Sequence, residues 1–233
     1  MNSSIQIGFL LEELRRGYQQ TKLSKLPPLL AQLSVEEIYV LLLAAYQGCV
    51  RDRHTYFYPV VDSEVDHKIH LIAEWMQNNQ RAGLLLGGTP GNGKTTIMKA
   101  MDRVLRSYGV FSFFYTAKDI VDYYSFDSAA HKSTFQTMAS SKAFMLIDDL
   151  GDEPAKYMNY GVEDKPIQTL LTIRYGRQLP TVITTNLSDD MLMERYGLRI
   201  YDRMQEMFSF MYFSGPSYRN NNLLNMERDS NIT

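Results

Sequence analysis

Read for apolar and polar positions, the chain alternates between short, mostly apolar runs broken only by Ser or Thr and longer stretches with apolar residues three and four apart. The runs lie at 84–86 (LLL), 110–115 (VFSFFY), 143–147 (AFMLI), 181–185 (TVITT) and 208–213 (FSFMYF). Runs of this length, without alternation, suit strands covered on both faces. Between them helical spacing recurs. Val65, Ile69, Ile72, Trp75 and Met76 mark one buried stripe, and Ile97, Met98, Met101, Val104 and Leu105 a second. Ile120, Val121 and Tyr124 mark a third, and Ile167, Leu170, Leu171 and Tyr175 a fourth. Asp62-Ser63 supplies a start signal for the first of these helices and Thr116 for the third. Strands alternating with helices predict an α/β fold, a mainly parallel sheet with helices on both faces. Residues 127–140 read as a loop and a weak helix, and 154–166 as loop.

Residues 1–60 differ from the remainder. Leu10, Leu11, Leu14 and Tyr18 lie on one face of a short amphipathic helix, which Pro27-Pro28 interrupts. Ser34-Val35-Glu36-Glu37 is a capping box that opens a helix through 38–46. Apolar faces on short helices need a cover. The region is either an appendage packed on the main domain or a partner-docking module. Arg51, Arg53, His54, Tyr56, Phe57 and Tyr58 follow as a basic and aromatic patch, either a linker with buried rings or a stacking surface for single strands. The predicted organisation is a helical N-terminal partner-docking region (1–60), a P-loop domain (61–219) and a polar tail (220–233) expected to fray.

Composition narrows the function classes. With 24 basic against 26 acidic side chains, the net charge of −2 removes a strongly electrostatic, sequence-blind DNA binder and leaves room for a local basic patch. A single cysteine, Cys49, excludes an internal disulfide and a cysteine-built zinc site, and fits a reducing compartment. Charged residues follow directly on the first apolar ones, unlike a secretory signal, and 38–46 is too short to span a membrane. A cytoplasmic protein without a membrane partner is expected.

The chemistry starts after the run at 84–86. Residues 88–95 read G-x-x-x-x-G-K-T, set between a strand and a helix, which is the context a phosphate-binding loop requires. Gly88, Gly91 and Gly93 let the backbone wrap close to phosphate oxygens. Thr89, Pro90, Asn92 and Thr96 complete the loop. Lys94 would reach the β- and γ-phosphates of ATP, and the Thr95 hydroxyl would help hold Mg²⁺. The helix N-terminus adds its own positive end.

Two further strand tips supply what such a site needs next. The run at 143–147 leads into Asp148-Asp149. Asp148 is placed to hold the metal and Asp149 to polarise the attacking water, with Glu153 as a substitute because Asp is the shorter acid. The run at 181–185 leads into Asn186, which can bond both a water and a γ-phosphate oxygen. Arginines at 195, 199 and 203 supply the residue type that stabilises charge on a transferring phosphoryl group, in cis or across a subunit interface. Arg219 lies just beyond the last run.

GGTPGNGKTT at 87–96, FMLIDDLGDE at 144–153, LPTVITTNLS at 179–188, ERYGLRIYDRMQEM at 194–207 and PSYR at 216–219 together resemble the DnaC/DnaI/IstB-type AAA+ ATPases, bacterial and phage helicase loaders and transposition ATPases. The resemblance implies a five-stranded parallel sheet in the order 5-1-4-3-2, numbered along the chain, without a full C-terminal lid. It assigns Lys94 and Thr95 to the Walker A motif, Asp148 and Asp149 to Walker B, and Asn186 to sensor I. Arg203, with Arg199 as the alternative, resembles the arginine finger given to a neighbouring subunit, and Arg219 resembles sensor II. Single-stranded DNA and a replicative helicase or transposase are the implied partners, with self-association through the nucleotide site. Lys118, Lys156, Lys165, Tyr157 and Tyr160 are candidates to face a strand in an oligomer's pore.

A P-loop kinase of small molecules is the competing enzyme class. It needs an arginine-rich lid, whereas 122–142 holds two lysines and no arginine. A nucleotide-gated switch with little hydrolysis is the third reading, drawn from the short Asp149.

Overall fold

The computed structural model describes residues 32–53, 62–78, 81–125, 129–154, 157–159, 162–215 and 217–218. The first amphipathic stretch, the aromatic patch at 54–58, Lys156, Tyr160, Arg219 and the tail lie outside the described residues.

Five parallel strands build the sheet: β1 (Gly83–Gly88), β2 (Ser112–Thr116), β3 (Phe144–Leu150), β6 (Thr181–Thr185) and β7 (Phe208–Phe213). Their spatial order is β2-β3-β6-β1-β7, all neighbours parallel, which is the expected 5-1-4-3-2 read from the other edge. Two short strands, β4 (Tyr157–Asn159) and β5 (Val162–Asp164), pair as an antiparallel hairpin where loop was expected. Eight helices are described: α1 (Val35–Arg53), α2 (Ser63–Gln77), α3 (Lys94–Ser107), α4 (Ala117–Ser125), α5 (Ala129–Ser140), α6 (Pro166–Gly176), α7 (Asp189–Tyr196) and α8 (Leu198–Met207).

The pleat sorts successive side chains to opposite faces. Leu84, Leu86, Leu146 and Val182 join one core with α1, α2 and α3. Leu85, Met145, Ile147 and Ile183 join a second with α4, α5, α6, α7 and α8. An unbroken apolar run is therefore one residue after another serving two cores. Ile38, Leu42, Tyr46 and Cys49 of α1 pack into the first core beside Ile97, Met98 and Met101 of α3. The helix inside residues 1–60 thus shares its core with the P-loop helix. Burial pushes the Tyr46 hydroxyl up to about 12, with Asp62 nearby adding to the shift.

The start signals act as expected. The Ser34 hydroxyl accepts from Glu37 N (3.2 Å) while Glu37 Oε2 accepts from Ser34 N (2.8 Å), a reciprocal cap. Asp62 caps α2 by accepting from Val65 N (2.8 Å), a bond of a kind that contributes about 1 kcal/mol. At the opposite end of the sheet from the P-loop, Arg174 of α6 is wholly buried. Its guanidinium donates to the carbonyls of Ala143 (3.1 Å) and Pro180 (2.7 Å) and to the Thr181 hydroxyl (2.7 Å), at the N-terminal ends of β3 and β6. Burial pushes it down to about 9, so it stays charged at neutral pH.

Candidate functional site

In a parallel sheet all strand tips of one sense face the same way, so loops far apart in sequence meet there. Here β1, β3 and β6 lie side by side, and their C-terminal tips carry the P-loop, Asp148-Asp149 and Asn186.

Gly88 ends β1 and Gly93 caps α3, both with positive φ. The need for glycine at 88 is steric as well as torsional: a Cβ there would stand 2.1 Å from the Phe213 carbonyl oxygen. Thr89 and Pro90 are exposed, and Thr96 is half-buried on α3. Asn92 is buried inside the loop. Its amide donates to Phe213 O (2.8 Å) and its Oδ1 accepts from Lys94 Nζ (3.2 Å).

Lys94 is 5% exposed. Its ammonium donates to Gly88 O (2.7 Å), Thr89 O (2.8 Å) and Asn186 Oδ1 (2.8 Å). The last bond joins the P-loop to the tip of β6 across 92 residues of sequence. One residue on, the Thr95 hydroxyl donates to Asp148 Oδ1 (2.9 Å), and the Thr184 hydroxyl donates to the same oxygen (2.6 Å). Thr184 also accepts from Asp149 N (2.9 Å). Asp149 takes a left-handed backbone (φ 54°) where the β3–β6 register shifts between Ile147 and Leu150. Asp148 thus meets Thr95 at the tip of β3, with Asp149 the next residue on.

Thr95 and Asp148 are hard oxygen donors in contact, and Mg²⁺ is typically held by one or two such protein groups with phosphate and water completing its shell. Lys94 holds loop carbonyls and amide oxygens that it can exchange for phosphate oxygens. The donor set fits a magnesium-nucleotide.

Glu153 has a different fate. It is buried, with Oε2 accepting from Gly151 N (2.8 Å) and Oε1 from the Tyr196 hydroxyl (2.5 Å) and Arg195 Nε (3.3 Å). Burial and the Glu153 carboxylate hold the Tyr196 hydroxyl well above its usual range. Its lone pairs are engaged in fixing the start of the 151–165 segment to α7.

Arg203 sits on α8, donating to the Thr172 hydroxyl (3.1 Å) with its guanidinium 5.4 Å from the centre of the Tyr175 ring. Both partners belong to α6, on the second core's side. Arg199 is exposed on the same helix. Tyr157 and Lys165 line a cavity of about 450 Å³ with Glu153 and Arg195, and Lys118 is exposed on α4. Sequence reasoning missed Thr184, although its place two residues before Asn186 on a tip-forming strand was a usable signal.

The family model of the ATPase family associated with various cellular activities (AAA) matches residues 84–212. No curated protein matches the chain. Among solved structures, the crystal structure of the DnaI is similar at 18% identity and TM-score 0.54, covering 82% of this chain and 93% of that one. AMPPCP-bound DnaA from Aquifex aeolicus is similar at 13% identity and TM-score 0.50, over 76% of this chain and 55% of that one. The replication initiator DnaA bound to AMPPCP and single-stranded DNA is similar at 12% identity and TM-score 0.51, over 75% and 54%. At such identities these likenesses concern the fold, and the chain spans about half the length of either DnaA.

Proposed function

The chain belongs to the ATPase family associated with various cellular activities, and on that premise we propose that it is a DNA-replication accessory ATPase of the helicase-loader type. It binds ATP with Mg²⁺ at the tips of β1, β3 and β6 and hydrolyses it to ADP and phosphate. The observation that carries this reading is the pair of links across the tips, Lys94 to Asn186 and Thr95 to Asp148. Two generic motifs become one site when their side chains touch.

In this reading residues 88–96 cradle the phosphates, with Lys94 leaving its loop carbonyls for the β- and γ-phosphates. Thr95 and Asp148 hold Mg²⁺, which supplies charge neutralisation on the phosphoryl oxygens. Asp149 orients the attacking water and Asn186 reports the γ-phosphate to β6. Glu153 is the weaker candidate for the water because its carboxylate is bonded to Tyr196 and Arg195. Asp149 is short for its task, so turnover is slow until a partner completes the site. Arg203 completes the site of a second copy. Thr172 and Tyr175, which it meets, lie on α6 and not at the strand tips, which supports action in trans. Arg219 remains the proposed second sensor. The outer surface of the N-terminal region docks the protein partner, the inner face of α1 being packed on the main domain.

Single-stranded DNA and a replicative helicase are the proposed partners. The DNA is supported by the fold shared with the DnaA whose structure holds AMPPCP and single-stranded DNA, the helicase by the motif set at 179–219.

The test is a size measurement of the full chain with ADP and with a non-hydrolysable ATP analogue, each with and without single-stranded DNA. A larger species with the analogue, lost in Arg203→Ala, is expected. A monomer in all four conditions contradicts the assembly, and normal turnover by the arginine variant contradicts the finger.

A further inference from the structure

Behind the P-loop lies a buried charge that the nucleotide reading does not use. Lys68 of α2 is 2% exposed. A buried ammonium is costly unless its charge is met. Four groups from three separate segments meet this one. Glu64, one turn earlier, pairs with it at 2.8 Å. Asn92 O, in the P-loop, accepts from it at 3.4 Å. The rings of Phe213 and Tyr218 stand with their centres 5.1 and 5.6 Å from Nζ, within cation–π range.

The same groups hold the segment after β7 against the P-loop. Tyr218 N donates to Gly91 O (2.9 Å), Thr89 Oγ1 to Gly215 O (3.3 Å) and Asn92 Nδ2 to Phe213 O (2.8 Å). The packing leaves no slack: a Cβ at Gly91 would stand 2.1 Å from Ser217 Oγ, and one at Gly215 would stand 2.2 Å from Glu64 Oε1. The Tyr218 hydroxyl donates to Asp62 (3.1 Å), the residue that caps α2. Residues 213–215 and 217–218 therefore form a strap between α2 and the P-loop, and Lys68 is the point at which all three meet.

We infer that Lys68 is a positioning residue for phosphate binding: its ammonium fixes the Asn92 carbonyl and, through Phe213 and Tyr218, clamps the strap that sets the P-loop's shape. The inference rests on the nucleotide reading of the loop. Asn92 is the relay, since its carbonyl meets Lys68 while its side chain meets Lys94. A loop released from Lys68 keeps Lys94 but loses the fixed arrangement in which Lys94 is presented. The consequence falls on nucleotide affinity before it falls on chemistry.

The test removes the ion pair as a unit, because deleting one partner alone leaves an uncompensated charge. Glu64→Gln/Lys68→Met is compared with the wild type in the full chain by calorimetric titration with ADP, by ATP turnover and by thermal melting without nucleotide. The double variant is expected to melt cooperatively and to bind ADP about tenfold more weakly, the loss typical of one charge-assisted hydrogen bond. KM for ATP should rise while kcat at saturation stays within about threefold, a split that reports lost ground-state binding. A merely structural Lys68 predicts a lower melting temperature with unchanged ADP affinity, and that result overturns the assignment. Tyr218→Leu, which removes a ring and the Asp62 bond from outside the sheet, should weaken ADP binding in the same direction by a smaller factor. It decides the matter if the double variant does not melt cooperatively, and unchanged affinity there overturns the assignment too. A wild type that fails to bind ADP contradicts the nucleotide reading itself, whereas wild-type binding with an unaffected variant contradicts Lys68 alone.

Discussion

Two buried cations, Arg174 and Lys94, stand at opposite ends of the same parallel sheet, and their surroundings differ in kind. Arg174, at the N-terminal ends of β3 and β6, spends its rigid fork on carbonyls that border fixed elements. Lys94, at the C-terminal tips, bonds two carbonyls of its own glycine-rich loop and the amide oxygen of Asn186. A planar guanidinium closed on all sides fixes structure. An ammonium on a flexible stem, held by oxygens that belong to an open loop, can exchange them for a ligand. Burial of charge does not by itself mark a functional site. The distinguishing features are the end of the sheet at which the charge lies and whether its partners can let go.

That contrast can be broken by substitution. Arg174→Leu has the largest expected effect. It strands several buried carbonyls, and urea unfolding should show a loss of about 3 kcal/mol or more. A loss well under that would mean the carbonyls find other donors. At the other end, Asp148→Ala should leave stability nearly unchanged and slow magnesium-dependent ATP turnover by about a hundredfold or more. Stability loss without a turnover defect would make the strand tips as structural as the Arg174 end. Asn186→Ala removes one charge-assisted bond to Lys94, and a steady-state assay should register about a tenfold slower turnover. The smallest effect is predicted for Glu153→Gln. It weakens the links to Tyr196 and Arg195 and should cost about 1 kcal/mol of stability, with turnover close to wild type. A collapse of turnover in that variant would transfer the water-orienting role from Asp149 to Glu153.

The sheet was legible because its strands are short, mostly apolar or β-branched runs with few charged residues, which suits burial on both faces. Its order followed from the motif resemblance, since nothing in residues 208–213 says that they lie beside residues 83–88. The hairpin at 157–164 was not legible, being two three-residue strands with polar residues and no turn dipeptide that marks a hairpin. Asp148 and Asp149 were readable as a pair, but the left-handed backbone of Asp149 and the register shift against β6 were not, being properties of the strand pairing rather than of either residue. Lys68 was half visible. Val65, Ile69 and Ile72 define a buried stripe, and 68 falls on it at helical spacing. A lysine there predicts a buried charge needing partners, but those partners come from residues 92, 213 and 218, which only the fold brings together.

The central claim is that the three strand tips form one magnesium-nucleotide site worked by Lys94. Phosphate release from ATP by the full chain, with and without Mg²⁺, compared with Lys94→Ala at matched folded concentration, tests it most directly. Magnesium-dependent release by the wild type and a fall of about a hundredfold or more in the variant are expected. Equal release by the two proteins, or release indifferent to Mg²⁺, would contradict it.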